Sequence, residues 1–169
     1  MRRGGSSYRE ELMKPSREQQ ERYMRAALAL ARAAQETGDV PVGCVIVRGE
    51  EIVGRGQNRR EAASDATAHA ELEASRMASQ ALGRWNLSDC ALYVTLEPCP
   101  MCAGAIWNAR IPFVCFGAAD PRAGCCGSVL HLGLEGFGPE PEIWGGLLEE
   151  ESLALLRDFF RGLRKKGDS

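Results

Sequence analysis

Apolar positions along the chain follow two periods, and the change from one to the other marks the elements. Met24, Ala27, Leu28, Ala31 and Ala34 recur at the three- and four-residue spacing of one helix face. Ser16 and Gln19 have the spacing of a capping box at the start of that helix, and Gly38 stands just past its end. Val42–Val47 and Ile52–Val53 are short apolar runs on either side of Gly49-Glu50-Glu51, which predicts a hairpin. Residues 57–67 are polar and predict a loop. A helix then runs from near Thr67 through Leu72, Met77 and Ala78 to Leu82. Ala91–Leu96 reads as a strand. Pro98 and Pro100 bracket a turn into another helix, with Ala103, Ile106 and Trp107 on its apolar side. Ile111–Phe116 predicts a further buried strand closed by Gly117, the Gly- and Pro-rich stretch 117–146 predicts irregular structure, and a last helix spans about 148–165. A hairpin followed by helix–strand alternation predicts an α/β sandwich with a mixed sheet.

Composition narrows the class. The chain of 169 residues is 44% hydrophobic and 26% charged, as expected of a globular domain. No apolar run approaches the length of a membrane span, and Met1-Arg2-Arg3-Gly4-Gly5-Ser6-Ser7 has no apolar segment behind its two charges. The expectation is a cytoplasmic protein with no membrane association, a flexible N-terminal arm over 1–14 and one domain over 15–166. The net charge of −2 hides an asymmetry. Residues 1–25 carry seven basic and four acidic side chains, and five basic residues lie from Arg157 onward, whereas 135–151 holds six glutamates and no Lys or Arg. Basic ends could steer a polyanion or simply solubilise the chain, and charge alone favours the second reading. Seven cysteines without an export signal point to metal ligands, core thiols or catalytic groups more than to disulfides.

The chemistry concentrates in His69-Ala70-Glu71 and Pro98-Cys99-Pro100-Met101-Cys102. Cys99 and Cys102 are three residues apart at a predicted helix start, so both sulfurs fall on one face, where the helix dipole favours thiolates. His69 opens another helix. One His and two Cys are three ligands for zinc, leaving the fourth tetrahedral position to a water whose pKa the metal lowers to about 7. Glu71 is then the residue that takes and passes on the proton. This pairing of H-x-E with P-C-x-x-C is a known signature of zinc-dependent nucleobase deaminases. Two other readings compete: a redox-active C-x-x-C, which leaves His69 and Glu71 unexplained, and a structural zinc closed by His131, Cys125 or Cys126. Cys44, Cys90 and Cys115 lie in or beside apolar strands and read as inert core thiols, and Cys125-Cys126 reads as part of a glycine turn.

With these motifs the chain resembles the bacterial tRNA-specific adenosine deaminases over roughly residues 20–165. The likeness runs through Val40-Pro41-Val42-Gly43, Gly56-Gln57-Asn58-Arg59, Asp65-Ala66-Thr67-Ala68-His69-Ala70-Glu71 and Leu92-Tyr93-Val94-Thr95-Leu96-Glu97-Pro98-Cys99. It continues through Met101-Cys102-Ala103-Gly104-Ala105-Ile106, Ala109-Arg110-Ile111, Phe116-Gly117-Ala118, Gly127-Ser128-Val129 and Asp158-Phe159-Phe160-Arg161. Ala66, where that family usually has proline, and Cys125-Cys126, where it has small residues, are departures.

The resemblance implies a three-layer α/β/α sandwich of the cytidine-deaminase type and a homodimer acting on a tRNA anticodon stem-loop. The implied reaction is hydrolytic deamination of the wobble adenosine to inosine. It implies one zinc per chain on His69, Cys99 and Cys102, with Glu71 as acid and base. Asn58 and the backbone at Ala70 would bond the flipped base, Val42 and Leu96 would wall it, and Asp120 would touch a ribose. Phe159, Phe160 and Arg161 would meet flanking nucleotides. Plainer roles exist: Asn58 and Asp120 as turn formers, and the two phenylalanines as helix core, so that at most one faces RNA. Two other function classes remain in view, a deaminase of free bases or nucleotides and a non-catalytic RNA-binding subunit. The second does not need Glu71.

Overall fold

The computed structural model describes residues 15–136 and 138–167, so the arm expected over 1–14 lies outside the described residues. Helix α1 (Arg17–Glu36) begins where the capping box predicts: the Gln19 N–H donates to Ser16 Oγ at 3.2 Å, and the Ser16 N–H donates to Gln19 Oε1 at 2.9 Å. After it come β1 (Gly43–Arg48), β2 (Glu51–Gln57), α2 (Ala70–Leu82), β3 (Ala91–Leu96), α3 (Pro100–Asn108), β4 (Phe113–Ala118), a 3-10 turn at Leu132–Glu135, β5 (Glu142–Gly145) and α4 (Glu149–Gly167).

The sheet order is β2-β1-β3-β4-β5. Strand β1 is antiparallel to β2 and β3, while β3, β4 and β5 run parallel, so the sheet is mixed as expected. Alternation along the strands divides the core. Cys44, Ile46, Leu92, Val94, Val114 and Phe116 face α2 and α3, where they meet Ala70, Ala74, Ala78, Ala103, Ile106 and Trp107. Val45, Val47, Ala91, Tyr93, Phe113 and Cys115 face α1 and α4, against Tyr23, Met24, Leu28 and Leu155. These are the three layers of the α/β/α sandwich.

The sequence reading misses in four places. Strand β2 extends to Gln57 because Gly54 and Gly56, which weaken a strand on propensity alone, are positions where α2 rests on the sheet. Helix α2 starts at Ala70 and not near Thr67, because the Thr67 N–H and hydroxyl both bond Asp65 Oδ1 and hold a turn there. Strand β4 starts at Phe113 and runs on through Gly117 to Ala118, since Pro112 has no N–H for the ladder. Within the stretch expected to be irregular, β5 forms as a short edge strand on β4, a pairing that four residues cannot announce locally.

The charge asymmetry also resolves. Glu149, Glu150 and Glu151 occupy the first turn of α4 and Arg164, Lys165 and Lys166 the last, each complementing the helix dipole. Cys44, Cys90 and Cys115 are buried. Burial pushes the Cys90 and Cys115 thiols up to about 12 and raises Cys44 too, which keeps all three protonated and inert. Cys125 and Cys126 do lie in a turn, and both are buried. Among the described residues no helix is long and apolar enough to cross a membrane.

Candidate metal and substrate site

Topology gathers the candidate residues at one end of the sheet. Strands β3 and β4 are parallel, so their C-terminal ends lie together, and the antiparallel pairing of β1 and β2 brings the start of β1 and the end of β2 to the same edge. Ligand sites in α/β sheets form outside the carboxyl ends of the parallel strands. Helices α2 and α3 start there. His69 is the N-cap of α2 and Cys99 the N-cap of α3, both with extended backbone, and Pro100 fills the first helical position.

The two helix starts converge on three ligand atoms. His69 Nδ1 lies 3.7 Å from Cys99 Sγ and 3.5 Å from Cys102 Sγ. A tetrahedral zinc with sulfur at about 2.3 Å and nitrogen at about 2.0–2.1 Å separates those atoms by about 3.6 Å. The imidazole–sulfur spacing therefore matches that of zinc ligands, all three ligand atoms lie within 4.8 Å of one another, and Nδ1 is the nitrogen that faces the two sulfurs, a point no sequence pattern decides. Among the described residues these three form the one cluster of ligand atoms able to hold a metal ion. Cys125, Cys126 and His131, which could have closed a structural site, are not part of it.

The protonation pattern of the three follows from their contacts. A hydrogen bond from the Cys102 thiol is the largest influence on Cys99 and, with His69, brings it down to about 4. Cys102, as donor to Cys99, keeps its proton, and His69 is held above its ordinary value chiefly by its bond to Cys99. Beside them Glu71 is only 4% exposed. Burial pushes its carboxyl up from the usual range, and a hydrogen bond with Cys102 opposes that rise.

A cavity of about 200 Å³ opens over these groups. Its walls come from the segment before β1 (Val40, Val42), the loop after β2 (Asn58, Arg60), the start of α2 (His69, Ala70, Glu71), the end of β3 (Leu96, Glu97, Cys99) and the loop after β4 (Asp120, Ala123). A larger groove of about 480 Å³ lies at the β5 edge, lined by Arg17, Glu142 and Trp144 among others, and holds none of these residues.

Of the residues expected to contact substrate, Asn58, Ala70, Val42, Leu96 and Asp120 all line the cavity. Asn58 is also a turn former: its Nδ2 donates to the Val40 carbonyl at 3.2 Å and its Oδ1 accepts the Arg60 N–H at 3.1 Å. Asp120 Oδ1 accepts the N–H groups of Arg122 and Ala123. Phe159, Phe160 and Arg161 do not line it. They sit on α4, with the two rings edge to face at 5.3 Å, Phe160 42% exposed and Arg161 paired with Asp158. Val40, Arg60, Glu97 and Ala123 line the cavity without having been singled out in the sequence. Glu97 had one signal, its place just before Pro98-Cys99.

The comparisons with known proteins agree with this geometry. Residues 17–118 match the model of the cytidine and deoxycytidylate deaminase zinc-binding region. The chain is 48% identical over 149 residues to the tRNA-specific adenosine deaminase of Bacillus subtilis (strain 168), covering 88% of this chain and 92% of that one. A solved structure from studies of A-to-I editing by tRNA:A34 deaminases at the wobble position of transfer RNA matches with a TM-score of 0.77 and 43% identity, over 80% of this chain and 99% of the other. The structure of a guanine deaminase from Nitrosomonas europaea matches with a TM-score of 0.71 but 26% identity, over 82% and 83% of the two chains. The chain belongs to the tRNA-specific adenosine deaminases, a branch of the zinc-binding cytidine and deoxycytidylate deaminase family.

Proposed function

We propose that the protein hydrolytically deaminates the wobble adenosine of a tRNA anticodon, turning adenosine and water into inosine and ammonia. The observation that carries this reading is the position of Glu71, a buried carboxyl two residues past His69, in contact with Cys102 and facing the cavity. At about 200 Å³ that cavity is smaller than the roughly 300–1,000 Å³ of sites for larger ligands. It suits a single base turned out of a loop, and the identity to the Bacillus subtilis enzyme supports tRNA as the source of that base.

Zinc, when bound by His69, Cys99 and Cys102, supplies a Lewis acid that lowers the pKa of a bound water to about 7. The chain's own residues do the rest. Glu71 accepts one proton of the attacking water and delivers it to N1 of the purine. It then takes the remaining hydroxyl proton from the oxygen now on C6 and gives it to the amino nitrogen, which leaves as ammonia as the C6 carbonyl forms. Its environment suits the task, because burial raises its pKa above the ordinary carboxylate range, so that it holds a proton more readily than an exposed glutamate would. An asparagine side chain can make four hydrogen bonds, and the bonds to Val40 and Arg60 use two. The remaining N–H and lone pair of Asn58 read the base edge. Ala70 is the first residue of α2, whose leading N–H groups have no acceptor within the helix, so its backbone donates to the base. Val42 and Leu96 wall the ring, and Asp120 turns its second oxygen to a ribose hydroxyl. Arg60, at the cavity mouth, meets a phosphate. Exposed Phe160, braced by the Phe159 ring, and Arg161 meet nucleotides outside the cavity.

The same reading includes a homodimer acting in the cytoplasm. Ile106 and Trp107, on the apolar side of α3, belong to the chain's own core. Exposed Val129 and Leu130, on the loop beyond Asp120, are the apolar residues this reading assigns to the dimer contact.

The match to a guanine deaminase favours a second reading, deamination of a free purine base. One assay separates them. Purified zinc-loaded protein is given an anticodon stem-loop with a wobble adenosine and, separately, guanine, adenine, adenosine and cytidine. Inosine in the stem-loop with slow or no turnover of the free compounds supports the proposal. Rapid turnover of a free base with the stem-loop untouched overturns it.

A further inference from the structure

Two buried carboxylates stand beside the cavity, and neither takes part in the chemistry above. Asp39 is fully buried. Its Oδ1 accepts the Glu61 N–H at 2.6 Å, and its Oδ2 accepts the Ala62 N–H at 3.2 Å and the Thr37 hydroxyl at 3.2 Å. Those N–H groups belong to the loop between β2 and α2, which carries Asn58 and Arg60 into the cavity wall. Glu97 is 3% exposed. Its Oε2 accepts the Asp120 N–H at 3.1 Å and its Oε1 the Ser128 N–H at 3.2 Å. The loop after β4 folds around this carboxylate. Gly124 donates to the Asp120 carbonyl at 2.9 Å and packs so tightly on Glu97 that a Cβ there would overlap the carboxylate.

A buried carboxylate persists only when its oxygens are satisfied, and bonds to a charged acceptor are the stronger kind. Each of these side chains spends both oxygens on backbone N–H groups of one loop, more than twenty residues away in sequence. Two anchor points fix the orientation of a loop as well as its position. A single bond would leave it free to pivot.

We propose that Asp39 and Glu97 are positioning residues, each holding one loop wall of the substrate cavity, so that Asn58 and Arg60 on one loop and Asp120 and Ala123 on the other are in place before substrate arrives. The clamps stand on the geometry alone. Their effect on catalysis rests on the deamination reading given above.

The test uses Glu97→Gln and Asp39→Asn in the zinc-loaded protein. Each amide turns an NH2 toward a backbone N–H that had an acceptor. Gly124→Ala serves as a second probe of the Glu97 clamp, since it displaces the carboxylate without changing any charge. The expected result is unchanged zinc stoichiometry and an unchanged absorption spectrum of the cobalt-substituted protein. With it, kcat/KM on the anticodon stem-loop falls about tenfold to a hundredfold, mainly through KM. Amide hydrogen exchange rises over 119–129 in Glu97→Gln and Gly124→Ala, and over 59–66 in Asp39→Asn, while the rest of the chain is unaltered. Exchange that is unchanged in those loops, or raised evenly along the chain, overturns the clamps. Looser loops with KM unchanged overturn their catalytic role. If the wild type leaves the stem-loop unedited, the deamination reading fails, and the exchange pattern still decides the clamps.

Discussion

A Cβ on Gly56 would overlap the carbonyl oxygen of Ala70, so the first turn of α2 lies directly on strand β2. Ala70 sits between His69 and Glu71. The contact therefore sets the height at which the imidazole and the carboxyl stand above the sheet. Gly56→Ala should cost about 1–3 kcal/mol of stability, the range for overpacking a tight contact. It should also weaken zinc binding, because His69 moves while the two sulfurs do not. Urea denaturation and a zinc titration of the same variant check both parts.

Glu71→Gln keeps the shape of the side chain and removes its capacity to move a proton. The rate should fall by about 10²–10⁴, the usual contribution of general acid–base catalysis. Zinc content should stay at one per chain, since Glu71 is not among the three ligand atoms. Metal analysis beside single-turnover kinetics reads this out, and near wild-type turnover would remove Glu71 from the mechanism.

Zinc uptake should release protons. Without metal Cys102 keeps its thiol proton and His69 is held above its ordinary 6.5, yet both must be deprotonated to ligate. Affinity should therefore fall as the pH drops through the raised His69 value. The metal-free fold has the opposite slope: the His69 contribution is fully present below 6.5 and is lost as the pH rises through its folded value. Calorimetric zinc titrations in buffers of different ionisation enthalpy count the protons, and zinc binding that is independent of pH between 5 and 8 would contradict the assignment.

Asn58→Ala should lower kcat/KM for the stem-loop by about tenfold, the effect of removing a hydrogen bond and leaving its partners unpaired, with zinc retained. Because Asn58 also bonds Val40 and Arg60, a modest loss of thermal stability should accompany it. Comparison of adenosine with 7-deazaadenosine at the wobble position, which keeps the 6-amino group that leaves but lacks the N7 acceptor, separates base reading from loop support. Equal losses on both would leave Asn58 as a turn former alone.

Much of this was legible in the sequence, and the reasons differ by element. Helix α1 announces itself through the Ser16–Gln19 box and a regular apolar stripe. His69, Glu71, Cys99 and Cys102 are legible because ligand spacing is a local property that a helix start turns into geometry. Strand β5 is not, since four residues form it only by pairing with β4. The span of β2 is obscured by Gly54 and Gly56, whose small size serves contact with α2 rather than strand propensity. Asp39 and Glu97 are the clearest omissions. A charged residue in a sequence reads as surface, and its burial depends on backbone N–H groups that only the folded loops supply.

The central claim is most directly tested by incubating the zinc-loaded protein with total unmodified tRNA, beside Glu71→Gln, and sequencing the anticodons for inosine, which reads as guanosine. Conversion is expected at the wobble adenosine with wild type, none elsewhere in the tRNA, and almost none with the variant. Unedited wobble adenosine with zinc-loaded wild type, or equal editing by Glu71→Gln, would contradict it.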